Sequence, residues 1–182
     1  MRPLFTVHAG EFVAGDFIER TFRHVNVWLP AKDTGVDLLV SDAKNKKVVS
    51  LQVKFSRDFL TTHHAAEFQK PLRACGWWTL DRRKLEHSPA DYWVFVIVGF
   101  AGRSTDFVII KPDELLRRLY TIHGKPKKIQ SYLWITEKHR CWETRGLKHS
   151  DQLLIAQGEF NNTERDFTPY LNNWQPIKAL NR

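Results

Sequence analysis

Cysteine is scarce in this chain: Cys75 and Cys141 are the only two in 182 residues. That excludes a disulfide framework and a Cys-rich zinc site. Long apolar runs are missing as well. The most apolar stretch, Tyr92 to Phe100, is too short to span a bilayer. Met1 to His8 has no long apolar core like that of a signal peptide. These absences point to a reducing, cytoplasmic setting and to no membrane partner. No repeat and no low-complexity linker interrupts the chain, so a single domain over residues 1–182 is expected. Acids are outnumbered, 20 Asp and Glu against 28 Lys and Arg, for a net charge of +8. This balance suits a polyanionic partner, most simply nucleic acid. A soluble basic protein without such a partner carries the same charge. What is present in quantity is the material of a globular core, 42% hydrophobic and 26% charged residues.

The chain is organised around Asp33 to Arg57. Two strands are expected there, Val36 to Val40 and Val48 to Phe55, joined by a polar turn over Ser41 to Lys47. The second alternates strictly. Val49, Leu51, Val53 and Phe55 point one way; Val48, Ser50, Gln52 and Lys54 point the other. Gln52 and Lys54 then share a face, with Cα atoms roughly 6.7 Å apart. Asp37 on the neighbouring strand completes a compact cluster. Asp and Gln offer oxygen ligands for a hard cation, and Lys adds a positive charge beside it. An unpaired carboxylate would be costly in the otherwise apolar first strand. The bland alternative is a solvated hairpin face.

Asp37 followed by Gln52-Val53-Lys54 resembles the PD-(D/E)XK nuclease superfamily. Its core pattern is an acid on one strand of a hairpin and (Glu/Asp/Gln)-X-Lys on the next. The entry Asp33-Thr34-Gly35-Val36-Asp37 is similar to that of members resembling methylation-directed restriction enzymes, which can also carry Gln. The resemblance spans about residues 8 to 57 at the level of motifs, and the later element order only loosely. It implies an α/β fold, a restriction-endonuclease-like core with a central mixed β-sheet flanked by helices. It implies Mg²⁺ or Mn²⁺ held by Asp37, the Gln52 side-chain carbonyl, the Val53 backbone carbonyl and Glu11. Lys54 would orient or activate water, or stabilise transition-state charge. The partner implied is double-stranded DNA, cut as by a restriction or defence endonuclease. Gln52 departs from the commonest pattern by replacing an anionic ligand with a neutral one. A degenerate fold that binds nucleic acid without cutting it is the alternative, and a protein-binding role is a third. A homodimer is left open.

Glu11 lies on an expected helix, Ala9 to His24. It falls in the middle of an apolar stripe made by Ala14, Gly15, Ile18 and Phe22. It either serves the first turn through the helix dipole or points inward at a site. Glu19 sits near the edge of that stripe, and Asp33 reads first as a turn residue. Val25 to Leu29 reads as a short strand, and Thr62 to Pro71 as a helix. His63 and His64 are adjacent, so they face different directions on a helix and make a poor ligand pair. Trp77 and Trp78 are expected in the core rather than stacked on bases. Asp91 to Phe100 reads as a central strand covered on both faces. Strands at Asp106 to Ile110 and Ile129 to Thr136 flank a helix that opens at Pro112 and ends at Gly124.

Lys125, Lys127, Lys128, Arg140 and Arg145 lie in the densest basic stretch, interleaved with Tyr132, Trp134 and Trp142. They are the expected phosphate contacts, with Arg82, Arg83 and Lys84 next in line. A short helix over Ser150 to Gln157, capped by Ser150 or Asp151, and a last amphipathic segment from Pro169 to Leu180 complete the reading.

Overall fold

The computed structural model describes residues 9–32, 34–57, 65–99 and 104–181. Its elements are α1 (Ala9–Thr21), β1 (Val25–Trp28), β2 (Leu38–Asp42), β3 (Val48–Arg57), α2 (Ala66–Gln69), β4 (Leu72–Asp81) and α3 (Arg82–Glu86). Then follow β5 (Tyr92–Gly99), β6 (Ser104–Ile110), α4 (Pro112–His123), β7 (Lys128–Thr136), β8 (Cys141–Glu143), α5 (His149–Gln157) and α6 (Gln175–Lys178), with 3₁₀ turns at Thr168–Tyr170 and Ala179–Asn181.

The fold is mixed α/β, with two sheets. One has five strands in the order β1-β2-β3-β5-β6; the other has three, β4-β7-β8. β1, β2 and β3 form an antiparallel meander, β5 joins β3 in parallel, and β6 returns antiparallel. The second sheet is antiparallel throughout. β5 is central because both its faces are apolar. Trp93, Phe95 and Ile97 pack with the second sheet and α4. Val94 and Val96 pack with Leu51, Val53, α1 and the C-terminal Trp174, Ile177 and Leu180. Register places Gln52 beside Trp93 and Lys54 beside Phe95, so the polar face of β3 looks toward the second-sheet side.

The hairpin forms with shifted bounds. β2 starts at Leu38 rather than Val36, and runs on to Asp42. The Asp42 carboxylate accepts the N–H groups of Lys46 at 2.6 Å and Lys47 at 3.0 Å, and Asn45 takes a positive φ of 54°. This side-chain turn lets the ladder continue through Ser41 and Asp42. α1 ends three residues before the expected His24, which itself has a φ of 63°. Ile18 is buried, but Phe22 is only half-buried, packed edge-on to Phe17.

Two strands were not expected. β4 carries Gly76 because the ring of Trp78 folds back over it, leaving no room for a Cβ. Trp78 is core, as expected, and meets Phe95 edge-on at 4.9 Å; Trp77, on the other face of β4, is exposed. β8 lies inside the basic stretch, and its Glu143 is fully buried with Arg165 at 2.8 Å and His123 at 3.1 Å. α5 has Lys148 at its N-cap with no side-chain cap, so Ser150 and Asp151 stand in the first turn instead. His63, His64 and Asp33 lie outside the described residues. No helix among the described residues is long and apolar enough to cross a membrane.

Candidate functional site

Asp37 stands one residue before β2, opposite Gln52. Its N–H donates to the Leu51 carbonyl at 2.8 Å, which extends the ladder by one bond. Its carboxylate then turns back onto β3. Oδ2 accepts the Val53 N–H at 2.7 Å and the side-chain NH₂ of Gln52. A strand residue sends its N–H and C=O to the same edge. The Leu51 carbonyl and the Val53 N–H both face Asp37, so the Val53 carbonyl also leaves by that edge, beyond the start of β2. Asp37 and Gln52 are therefore brought together, with one difference from the expected arrangement. Gln52 offers Asp37 its NH₂ end, while its Oε1 lies on the side of Gly35.

These residues line a cleft of about 830 Å³. Glu11, Asp37, Gln52, Val53 and Lys54 all border it. The Lys54 ammonium sits 5.3 Å from the centre of the Trp93 ring, an arrangement that favours a cation. Glu11 is half-buried in the first turn of α1. Dipole and cleft are thus served by the same position. Glu19 is exposed. Gly35 has a φ of 91° at the cleft edge, a conformation that favours glycine.

Glu11 is held there by the residue before it. Gly10 is buried, and a Cβ on it would come within 2.7 Å of the Phe55 Cβ. Neither atom can swing away. Gly10→Ala should push the start of α1 off β3, costing about 1–3 kcal/mol by overpacking. Thermal melting should register a drop of about 2–4 °C per kcal/mol. An unchanged melting temperature would mean that α1 does not need this close seat.

A further part of the lining comes from α3 and the loop after it, through Lys84, His87 and Pro89. Lys84 was a second choice as a phosphate contact, and His87 was not singled out. Their spacing of three along a helical turn was the available signal.

The expected basic stretch is divided in space. Lys125, Lys127 and Lys128 precede or open β7, whereas Arg140 follows its far end, paired across from Thr136. That strand separates the two groups by roughly 27 Å. Lys128 pairs with Asp81 at 2.8 Å. Arg140 pairs with Asp166 at 2.9 Å and covers Trp142 at 5.1 Å. Arg145 lies 5.7 Å from the Tyr132 ring centre.

Glu11, Asp37, Gln52 and Val53 offer the cleft two carboxylates, one amide and one backbone carbonyl. Such oxygen ligands fit Mg²⁺ or Mn²⁺ that keeps several waters. They do not fit a metal that demands His or Cys, and among the described residues no group of three or more His, Cys, Asp and Glu could hold a metal ion. Comparison of the chain with known protein families, with curated proteins and with solved structures finds no match.

Proposed function

We propose that the chain is a metal-dependent phosphodiesterase that cuts DNA, built on a restriction-endonuclease-like core. The observation that carries this is the clasp at the hairpin mouth. The Asp37 carboxylate is fixed by the Val53 N–H and by Gln52, in a cleft that also takes Glu11 and Lys54. The net charge of +8 suits the polyanionic substrate.

Asp37, Glu11, the Gln52 side chain and the Val53 carbonyl would hold Mg²⁺ or Mn²⁺. Bound there, the cation neutralises phosphate charge and makes a water more acidic. The remaining work falls to the chain. The two hydrogen bonds to Asp37 fix its carboxylate before any ligand arrives, so little reorganisation is needed. Lys54, set over Trp93, supplies positive charge where the phosphate oxygens become more negative. The α1 turn and the Gly35 edge also border the cleft.

The test is incubation with supercoiled plasmid. Nicked and linear DNA should form with Mg²⁺ or Mn²⁺, and neither should form with EDTA or in Asp37→Ala. DNA that is shifted in a gel but uncut under every condition would favour the alternative, a binding protein that keeps the core. The neutral Gln52 in place of an acid is the feature on that side.

A further inference from the structure

Lys84, His87 and Pro89 line the same cleft as Asp37, Gln52 and Lys54. The wall they form is firmly built. Asp81 ends β4 and caps α3, accepting the N–H groups of Arg83 at 2.9 Å and Lys84 at 3.3 Å. His87 closes the helix with its N–H on the Arg83 carbonyl at 3.1 Å. The next residue, Ser88, accepts the indole N–H of Trp93 at 2.8 Å. That is the same indole that lies beside Lys54. One residue beyond His87 the wall is therefore tied to β5, the strand beside β3.

The charges on this wall are not self-neutralised. Asp81 takes the Lys128 ammonium at 2.8 Å. Glu86 meets the Tyr120 hydroxyl at 2.5 Å and Arg82 at 3.6 Å. The nearby acids thus serve Lys128 and Arg82. Lys84 and His87 are exposed, border the cleft, and form no ion pair among the described residues. The cleft is thus bordered by the Asp37 and Glu11 carboxylates and by Lys84 and His87, which come from α3 and the residue that ends it.

The positive surface continues toward the turn before β7. The Arg82 backbone N–H donates to the Lys127 carbonyl and its guanidinium to the Lys125 carbonyl, both at 3.1 Å. This docks the turn before β7 against α3. Lys125 and Lys127 are exposed there.

We propose that Lys84 and His87 form a phosphate-binding wall. They hold a backbone phosphate of the nucleic-acid strand next to the one that faces Lys54, and the strand then passes over α3 toward Lys125 and Lys127. This deepens the nuclease reading, and rests on it for which phosphate is cut, but the binding itself needs no cation.

The test separates the two. A fluorescein-labelled 20-base-pair duplex is titrated in EDTA at several salt concentrations, by anisotropy. Lys84→Ala/His87→Ala should bind about tenfold more weakly. Its plot of log affinity against log salt should be shallower by about one to two, near 0.9 per lost phosphate contact. Both side chains are exposed, so the melting temperature should match the parent's. Lys84→Arg should retain affinity, and Lys178→Ala, at the exposed end of α6, should leave the slope unchanged. With cation present, the double variant should show a raised KM at nearly parental kcat. Parental affinity and slope in the double variant overturn the wall, as does a parent that fails to bind the duplex in EDTA. If the variant loses affinity while even the parent never cuts, the wall stands and the nuclease reading falls.

Discussion

Lys54→Met is expected to leave the protein folded and bound to DNA while slowing cleavage by about 10²–10³-fold, the scale of losing one preorganised charge at a phosphate. Methionine keeps an unbranched apolar stem of similar length. Lys54 is half-buried, and its ammonium meets the Trp93 ring of β5 at 5.3 Å. Removing that contact costs only about 0.5–1 kcal/mol at a partly exposed site. Stability and catalysis should therefore separate cleanly. Single-turnover nicking rates read the first-order loss, and circular dichroism with thermal melting reads the fold. A variant that nicks at the parental rate would show that the cleft does not act through this ammonium. A variant that melts far below the parent would make Lys54 a packing residue.

The hairpin was legible because one strand carries a strict alternation. Leu51 and Val53 are buried against α1, and Gln52 and Lys54 turn to the other side, as that period requires. Asp37 was read as a strand residue and is instead the residue before β2. The pattern of apolar side chains does not reveal where a ladder ends when a side chain takes over from the backbone. Here the Asp37 carboxylate occupies the place of the next β2 carbonyl, receiving the Val53 N–H. β4 was illegible for a different reason. Ala74, Cys75 and Gly76 have little intrinsic strand preference, and only pairing along β7 makes the segment extended. The α3 wall was lost with it, since Lys84 and His87 reach the cleft only because β4 crosses to a second sheet and returns. The basic stretch shows the converse. Lys127 and Arg140 are close in sequence, yet β7 runs its full length between them.

Gln52 decides whether the clasp is a ligand set or a structural tie. In the structure its NH₂ group donates to Asp37 and its carbonyl oxygen lies toward Gly35. An amide has one accepting end and one donating end. The donating end suits a bare carboxylate; a cation bound by Asp37 would favour the accepting end. Rotating the amide by roughly 180° exchanges the two with little change in shape. Three variants follow with different outcomes. Gln52→Glu places a second carboxylate beside Asp37. The pair repels without a cation, raising the pKa of one member, and should bind Mn²⁺ about tenfold more tightly with cleavage still measurable. Gln52→Leu removes the oxygen. It should abolish Mn²⁺ binding and cost about 1–3 kcal/mol, because Asp37 loses a donor in a partly buried place. Lys54→Met should titrate Mn²⁺ like the parent, since its charge is not a ligand. Calorimetric Mn²⁺ titration reads the affinities, and a parallel nicking assay reads the chemistry. Parental titrations for both Gln52 variants would mean that no ion sits between β2 and β3. The Asp37–Gln52 pair would then be a polar tie that ends the hairpin ladder, and the case for a nuclease would lose its main support.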